Sequence, residues 1–219
     1  MANVEPILSG MTLEQKVGQV LMDTFAAGKI DQIISELGPG SLLFWNFNDP
    51  GLELSPRKMA LLTNSVQKLS IESRGLPMWL HGFVSSATMG WHGGWHASLA
   101  TVASVEEVER VGQIFGRRWR VAGLHNFPGP TVNVPVHETC IARSWAMTGD
   151  AECVSRYGAA TTRGVVSQRC GTMAQHFPAH GATPVDSHTG FPVVDLPREE
   201  LMRDHIRPYQ APISTSDRM

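Results

Sequence analysis

The chemistry in this chain is concentrated in Gln175-His176-Phe177-Pro178-Ala179-His180-Gly181, followed at once by Asp186-Ser187-His188-Thr189-Gly190. Three histidines and an aspartate fall within fourteen residues, in a loop too rich in Gly and Pro for a helix. His188 is the side chain best suited to trading protons near neutral pH. Asp186, two residues earlier, is close enough to orient the imidazole, fix its tautomer and raise its basicity. From spacing alone the plainer reading is an Asx turn at Asp186 with a solvent-exposed His188. His176 and His180, four apart, invite a zinc reading, since histidines at i and i+4 of a helix can share a metal. Phe177-Pro178 opposes a helix and no glutamate follows His176 directly, so neither a metal nor a cofactor is expected.

A short apolar run, Gly171 to Ala174, reads as the buried strand that empties into this loop, the place where an α/β enzyme keeps its chemistry. Upstream the pattern repeats. Thr12-Leu13-Glu14-Gln15 has capping-box form, and Leu13, Val17, Val20 and Leu21 mark one apolar helical face. Ile30, Ile33, Ile34 and Leu37 form a second amphipathic segment, closed by Gly38-Pro39-Gly40, and Ser41 to Trp45 reads as a strand. Pro56 to Ser73 is helical by its Met59, Leu62, Val66 and Leu69 spacing, and Leu76 to Leu80 is the next strand. Ser104 caps a helix whose Val105, Val108, Val111, Gly112 and Phe115 face inward, ending at Gly123. Leu124 to Phe127 and Thr131 to Val134 are extended, and a helix runs from about Asp150 to Val166. Helices alternating with short buried strands predict a parallel α/β sheet, open or closed into a barrel. Phe83 to Ala100 reads as a long loop; its Trp91 and Trp95 could stack on a sugar ring or pack the loop onto the body.

With 219 residues, 42% hydrophobic and 17% charged, the balance is ordinarily globular. A net charge of -2 gives no basic field for nucleic acid or an anionic membrane, and Arg117, Arg118 and Arg120 read as a solvated helix face. No run approaches a membrane span and the first ten residues lack signal-peptide form, so a cytoplasmic protein is expected. Cys140, Cys153 and Cys170, odd in number and without C-x-x-C spacing, are expected as buried small hydrophobes.

The run His176 to Gly181 with Asp186-Ser187-His188-Thr189-Gly190-Phe191-Pro192-Val193-Val194-Asp195 resembles the "KHFPGHG…DSHTGLPVVD" signature of glycoside hydrolase family 3, in its β-N-acetylhexosaminidase branch. Met11 to Gln19 resembles the family's "MTLEEKVGQ", Thr63 to Pro77 its "TN.LQ…SRLGIP", and Glu107 to Val134 its "VG…R..GINWNFAPVVDV". The resemblance covers nearly the whole chain. It implies a TIM-type (β/α) barrel that removes a β-linked N-acetylhexosamine or glucose from the non-reducing end of an oligosaccharide or glycoside, with retention, through a covalent glycosyl-enzyme. By the same resemblance His188 is the acid/base, Asp186 its orienting partner, and His176, His180 and Arg143 of Ala142-Arg143-Ser144-Trp145 grip sugar hydroxyls. Without the resemblance Arg143 reads as a surface residue.

Three departures stand out. The family's lysine before the first histidine is Gln175, an amide that binds a hydroxyl more weakly than a fixed charge would. The acidic "D.E.G" after the third strand is replaced by Leu80-His81-Gly82-Phe83-Val84, where His81 could supply one hydrogen bond. In the family the nucleophilic aspartate ends a later strand, downstream of Ile206-Arg207-Pro208-Tyr209, and this sequence ends at Met219, which leaves the nucleophile unassigned. The family carries an aspartate at Asp195 without using it as nucleophile, and Asp204 and Asp217 are no better placed. About five βα units are too few to close an eight-stranded barrel, so open edges are expected to favour self-association. A truncated or divergent hexosaminidase-type hydrolase is the first reading. A catalytically silent carbohydrate-binding or accessory subunit is the second.

Overall fold

The computed structural model describes residues 4–45, 55–83, 95–102 and 104–216. Strands β1 (Met22–Thr24), β2 (Ser41–Trp45), β3 (Trp79–Phe83), β4 (Asn126–Phe127) and β5 (Gly171–Thr172) form one parallel sheet in chain order. Between and around them run α1 (Glu5–Gly10), α2 (Leu13–Gln19), α3 (Ile30–Gln32), α4 (Pro56–Arg74), α5 (Trp95–Val102), α6 (Val105–Val121), α7 (Ala151–Val166), α8 (Arg198–Glu200) and α9 (Arg207–Ser216). Sequential parallel order with helices in every crossover is the wall of a (β/α) barrel, whereas a doubly wound sheet reverses its order at a switch point. Among the described residues the fold is a partial TIM-type barrel of five units.

The helix-facing side of the sheet carries the core. Leu42, Phe44, Leu80 and Phe127 are fully buried against Met59 and Val66 of α4 and Phe115 and Trp119 of α6. Each such burial contributes about 1.5–3 kcal/mol. Trp119 also donates its Nε1–H to the Gly82 carbonyl at 3.1 Å, which ties α6 to β3. A second cluster, Val132, Val134, Met147, Val154 and Tyr209, underlies the segments that follow β4 and β5.

The helix that delivers the histidine loop is held by close backbone contact. Asp150 caps α7, its Oδ1 accepting from the amides of Glu152 and Cys153 at 2.8 and 3.0 Å. A Cβ on Gly112 would stand 2.7 Å from the Thr161 carbonyl oxygen, one on Gly116 2.7 Å from that of Val165, and one on Gly164 would meet the Glu109 carbonyl. Three glycines thus let α6 and α7 touch backbone to backbone.

Several local expectations hold. Thr12 and Ser104 form reciprocal capping boxes with Gln15 and Glu107, and α4 buries Met59 and Val66 as its period requires. Others need correction. β3 spans Trp79–Phe83 in place of Leu76 to Leu80, because Gln67 occupies both backbone groups of Met78, at 2.6 and 3.0 Å, before strand pairing starts. Between Leu124 and Phe127 the strand proper is Asn126–Phe127, since Pro128 and Pro130 interrupt the run that continues to Val134. Residues 84–94 of the expected loop, including Trp91, lie outside the described residues, and Trp95–Val102 is helical, free of Gly and Pro. Among the described residues nothing covers the apolar face of α2: Leu13 is 71% and Val20 83% exposed, with Val17 and Leu21 also exposed, beside the edge strand β1. Leu37 is exposed while Ile33 and Ile34 are buried. Of the cysteines, Cys140 and Cys170 are buried and Cys153 is half-buried. Burial pushes the Cys170 thiol up to about 12.

Candidate functional site

Two segments leave the C-terminal ends of β4 and β5 and fold against each other. A parallel bridge joins Thr131 to Gln175, with the Val132 amide donating to the Gln175 carbonyl at 2.9 Å and the Gln175 amide to that of Pro130 at 3.1 Å. Further along, the Val136 amide donates to the Gly181 carbonyl at 3.0 Å and the Cys140 thiol to the His180 carbonyl at 3.2 Å. The 3-10 turn Ile141–Ser144, which carries Arg143, therefore packs on the turn His180–Ala182. Arg143 is exposed there, and Trp145, two residues on, lies over the His176 ring with centroids 5.6 Å apart.

His176 is half-buried between Trp145 and His180, whose ring meets it edge-on at 5.6 Å. Asn133 clasps it twice. The His176 backbone N–H donates to Asn133 Oδ1 at 3.0 Å, and Asn133 Nδ2 lies 3.0 Å from the ring Nδ1. Burial, reinforced by His180 and His188, lowers the His176 imidazole to about 4. His180 in turn is linked through Nε2 to Ser187 Oγ at 3.3 Å and through Nδ1 to Thr183 Oγ1 at 3.4 Å. Gln175 turns its amide toward the Pro128 carbonyl, 3.3 Å away, and Thr131 Oγ1, 3.5 Å away.

Asp186 and His188 combine both readings of their spacing. Asp186 Oδ1 accepts from the His188 amide at 2.9 Å, which is the Asx turn, and also lies 2.7 Å from His188 Nδ1. The His188 side chain is 61% exposed. These bonds, the backbone one foremost, hold the Asp186 carboxyl below its ordinary value. A carboxylate can only accept, so Nδ1 carries the proton and Nε2 is the ring nitrogen left to take or give one.

Asp204 forms two short bonds to Arg203, at 2.8 and 2.6 Å, Asp195 is exposed, and Asp217 lies outside the described residues. His81 on β3 lies 3.2 Å from Asn126 Nδ2, and burial lowers its imidazole. Asn133 and Trp145 were missed from sequence. A polar residue inside the apolar run Thr131 to Val134 was the available signal for Asn133. A cavity of about 550 Å3 lined by Asn64, Trp79, Arg120 and His125 opens at the N-terminal ends of the strands, opposite the histidines.

Residues 12–218 match the family described as glycosyl hydrolase family 3 N terminal domain. β-Hexosaminidase A of Pseudoalteromonas piscicida is 29% identical over 110 residues, which are 49% of this chain and 18% of that protein. The structure of a glycoside hydrolase family 3 β-N-acetylglucosaminidase from Paenibacillus superposes with a TM-score of 0.80 at 25% identity, covering 94% of this chain and 40% of that one. A family 3 glycosyl hydrolase from Mycobacterium smegmatis superposes at 0.79 and 21% identity, covering 95% and 63%, a likeness of fold. The chain thus spans 18% to 63% of the length of these relatives.

Proposed function

The chain belongs to glycosyl hydrolase family 3, by the N-terminal domain of that family, and on that premise we propose that it serves in hydrolysing β-linked N-acetylhexosamine from the non-reducing ends of oligosaccharides or glycosides, with retention. The observation that carries this reading is the 2.7 Å contact between Asp186 Oδ1 and Nδ1 of the His188 ring, a side chain that is 61% exposed. In the first step His188, as imidazolium, gives its Nε2 proton to the glycosidic oxygen while the C–O bond breaks and a carboxylate takes the anomeric carbon. In the second, His188 removes a proton from the water that releases the sugar. His176, His180, Gln175 and Arg143 hold sugar oxygens. The nucleophile in this reading is a carboxylate, as the family uses, and no carboxylate among the described residues is assigned to it.

The second reading, a sugar-binding domain without turnover, draws on the engaged state of Asp204 and the exposure of Asp195. Proton NMR of the first sugar released from an aryl β-N-acetylglucosaminide tests the proposal. Initial β-anomer is the expected product. Initial α-anomer would reject retention, and sugar binding without any release would favour the second reading.

A further inference from the structure

The two histidines of the site face side chains of opposite hydrogen-bonding character. Asp186 can only accept. Asn133 has an oxygen that accepts and an amino group that only donates. Which way the Asn133 amide points is fixed by the protein backbone, because the His176 N–H is always a donor and lies 3.0 Å from Oδ1. Nδ2 therefore faces the His176 ring, and Nδ1, 3.0 Å away, must accept. A neutral imidazole that accepts at Nδ1 carries its proton at Nε2.

We propose that Asn133 is a positioning residue that fixes His176 as the Nε2–H tautomer, so that His176 meets a ligand as a hydrogen-bond donor and takes an oxygen acceptor, such as a sugar hydroxyl or an amide carbonyl. Asn133 is 3% exposed, so water does not compete for its amide. Protonating His176 would set an Nδ1–H against the Asn133 amino group, two donors facing each other, and would cost a buried hydrogen bond. The low imidazole value agrees with this, with His180 and His188 the neighbouring groups that also oppose a proton and Asp186 bound to His188. Asn133 is in turn held by the Thr131 to Gln175 bridge on one side and the Val132 and Val134 packing on the other. His188 and His176 thus have complementary duties: one exchanges a proton at Nε2, the other keeps it. The sugar assignment, but not the tautomer, rests on the reading that His176 lines the substrate pocket.

Two-bond 1H–15N spectra of the full chain, with His176→Gln to assign the signal, read the tautomer directly without needing turnover. His176 is expected as neutral Nε2–H from about pH 7 to about pH 5. Asn133→Asp keeps an acceptor for the backbone N–H and offers Nδ1 a second, so the proton is expected to move to Nδ1 and the titration midpoint to rise by about one unit or more. N-acetylglucosamine titrated into both proteins should bind about tenfold more weakly to the variant. A wild-type Nδ1–H tautomer, or a folded Asn133→Asp protein with an unchanged His176 pattern, overturns the proposal, and the wild-type spectrum decides even if the variant does not fold. An Nε2–H tautomer whose signals ignore N-acetylglucosamine upholds the role of Asn133 and rejects the sugar pocket.

Discussion

One oxygen of Asp186 receives two hydrogen bonds from a single residue, the His188 amide at 2.9 Å and the His188 ring Nδ1 at 2.7 Å. The turn that shapes the loop and the contact that orients the imidazole are therefore one device. Asp186→Asn should loosen it without deleting the histidine. The amide can keep the Asx turn through its oxygen but loses the charge that favours an imidazolium. Turnover is expected to fall, and by less than on removing His188. Unaltered turnover of an aryl β-N-acetylglucosaminide by Asp186→Asn would remove Asp186 from the mechanism.

Acid should weaken the fold through its buried histidines. His176 is lowered to about 4, with burial the main cause, and burial also lowers His81, His125 and His205. In the unfolded chain these imidazoles take protons near 6.5. Between that value and the folded one the unfolded state binds more protons, so stability falls as pH drops through the window. Asp186, depressed by its His188 bonds, adds stability that is lost only at lower pH, below the ordinary carboxylate range. Urea midpoints should decline from about pH 7 to about pH 5, and His176→Gln should narrow the gap. Equal midpoints would show that the histidines are as protonatable folded as unfolded.

Gly164→Ala should destabilise by about 1–3 kcal/mol. Its new methyl group would meet the Glu109 carbonyl and lie 2.8 Å from the Gln113 nitrogen, both of them α6 backbone that cannot rotate away. Gly28→Ala, with open space around the site of its Cβ, is the control. Comparable losses in the two variants, measured by denaturant melts, would contradict backbone contact between α6 and α7.

The uncovered α2 face should make the chain associate. Leu13, Val17, Val20 and Leu21 lie exposed beside the β1 edge, and open parallel edges with apolar flanks are templates for pairing. Sedimentation is expected to show dimers or larger species, with Val17→Glu and Val20→Glu together returning monomers. A wild-type chain that sediments as a sharp monomer and unfolds cooperatively at high temperature would mean that these edges need no partner.

What was legible in the sequence was what is local. The capping boxes at Thr12 and Ser104, the period of α4 and the two-residue spacing of Asp186 and His188 all act within a few residues of chain. The clasp of Asn133 on His176 joins residues 43 apart, and nothing in spacing announces it. Nor could the start of β3 be read, because Gln67, on the preceding helix, decides where Met78 stops being free to pair. The α2 period predicted an apolar stripe correctly but not whether anything would cover it.

The central claim is that His188 gives a proton to a departing sugar oxygen. Hydrolysis of aryl β-N-acetylglucosaminides of graded leaving-group acidity by the wild-type chain and His188→Ala, alone or in its completed assembly, tests it most directly. The loss on substitution should reach about 10²- to 10⁴-fold for basic leaving groups and shrink for acidic ones, which depart unaided as anions. An equal loss across the series, or no turnover alongside sugar binding that Arg143→Ala abolishes, would contradict it.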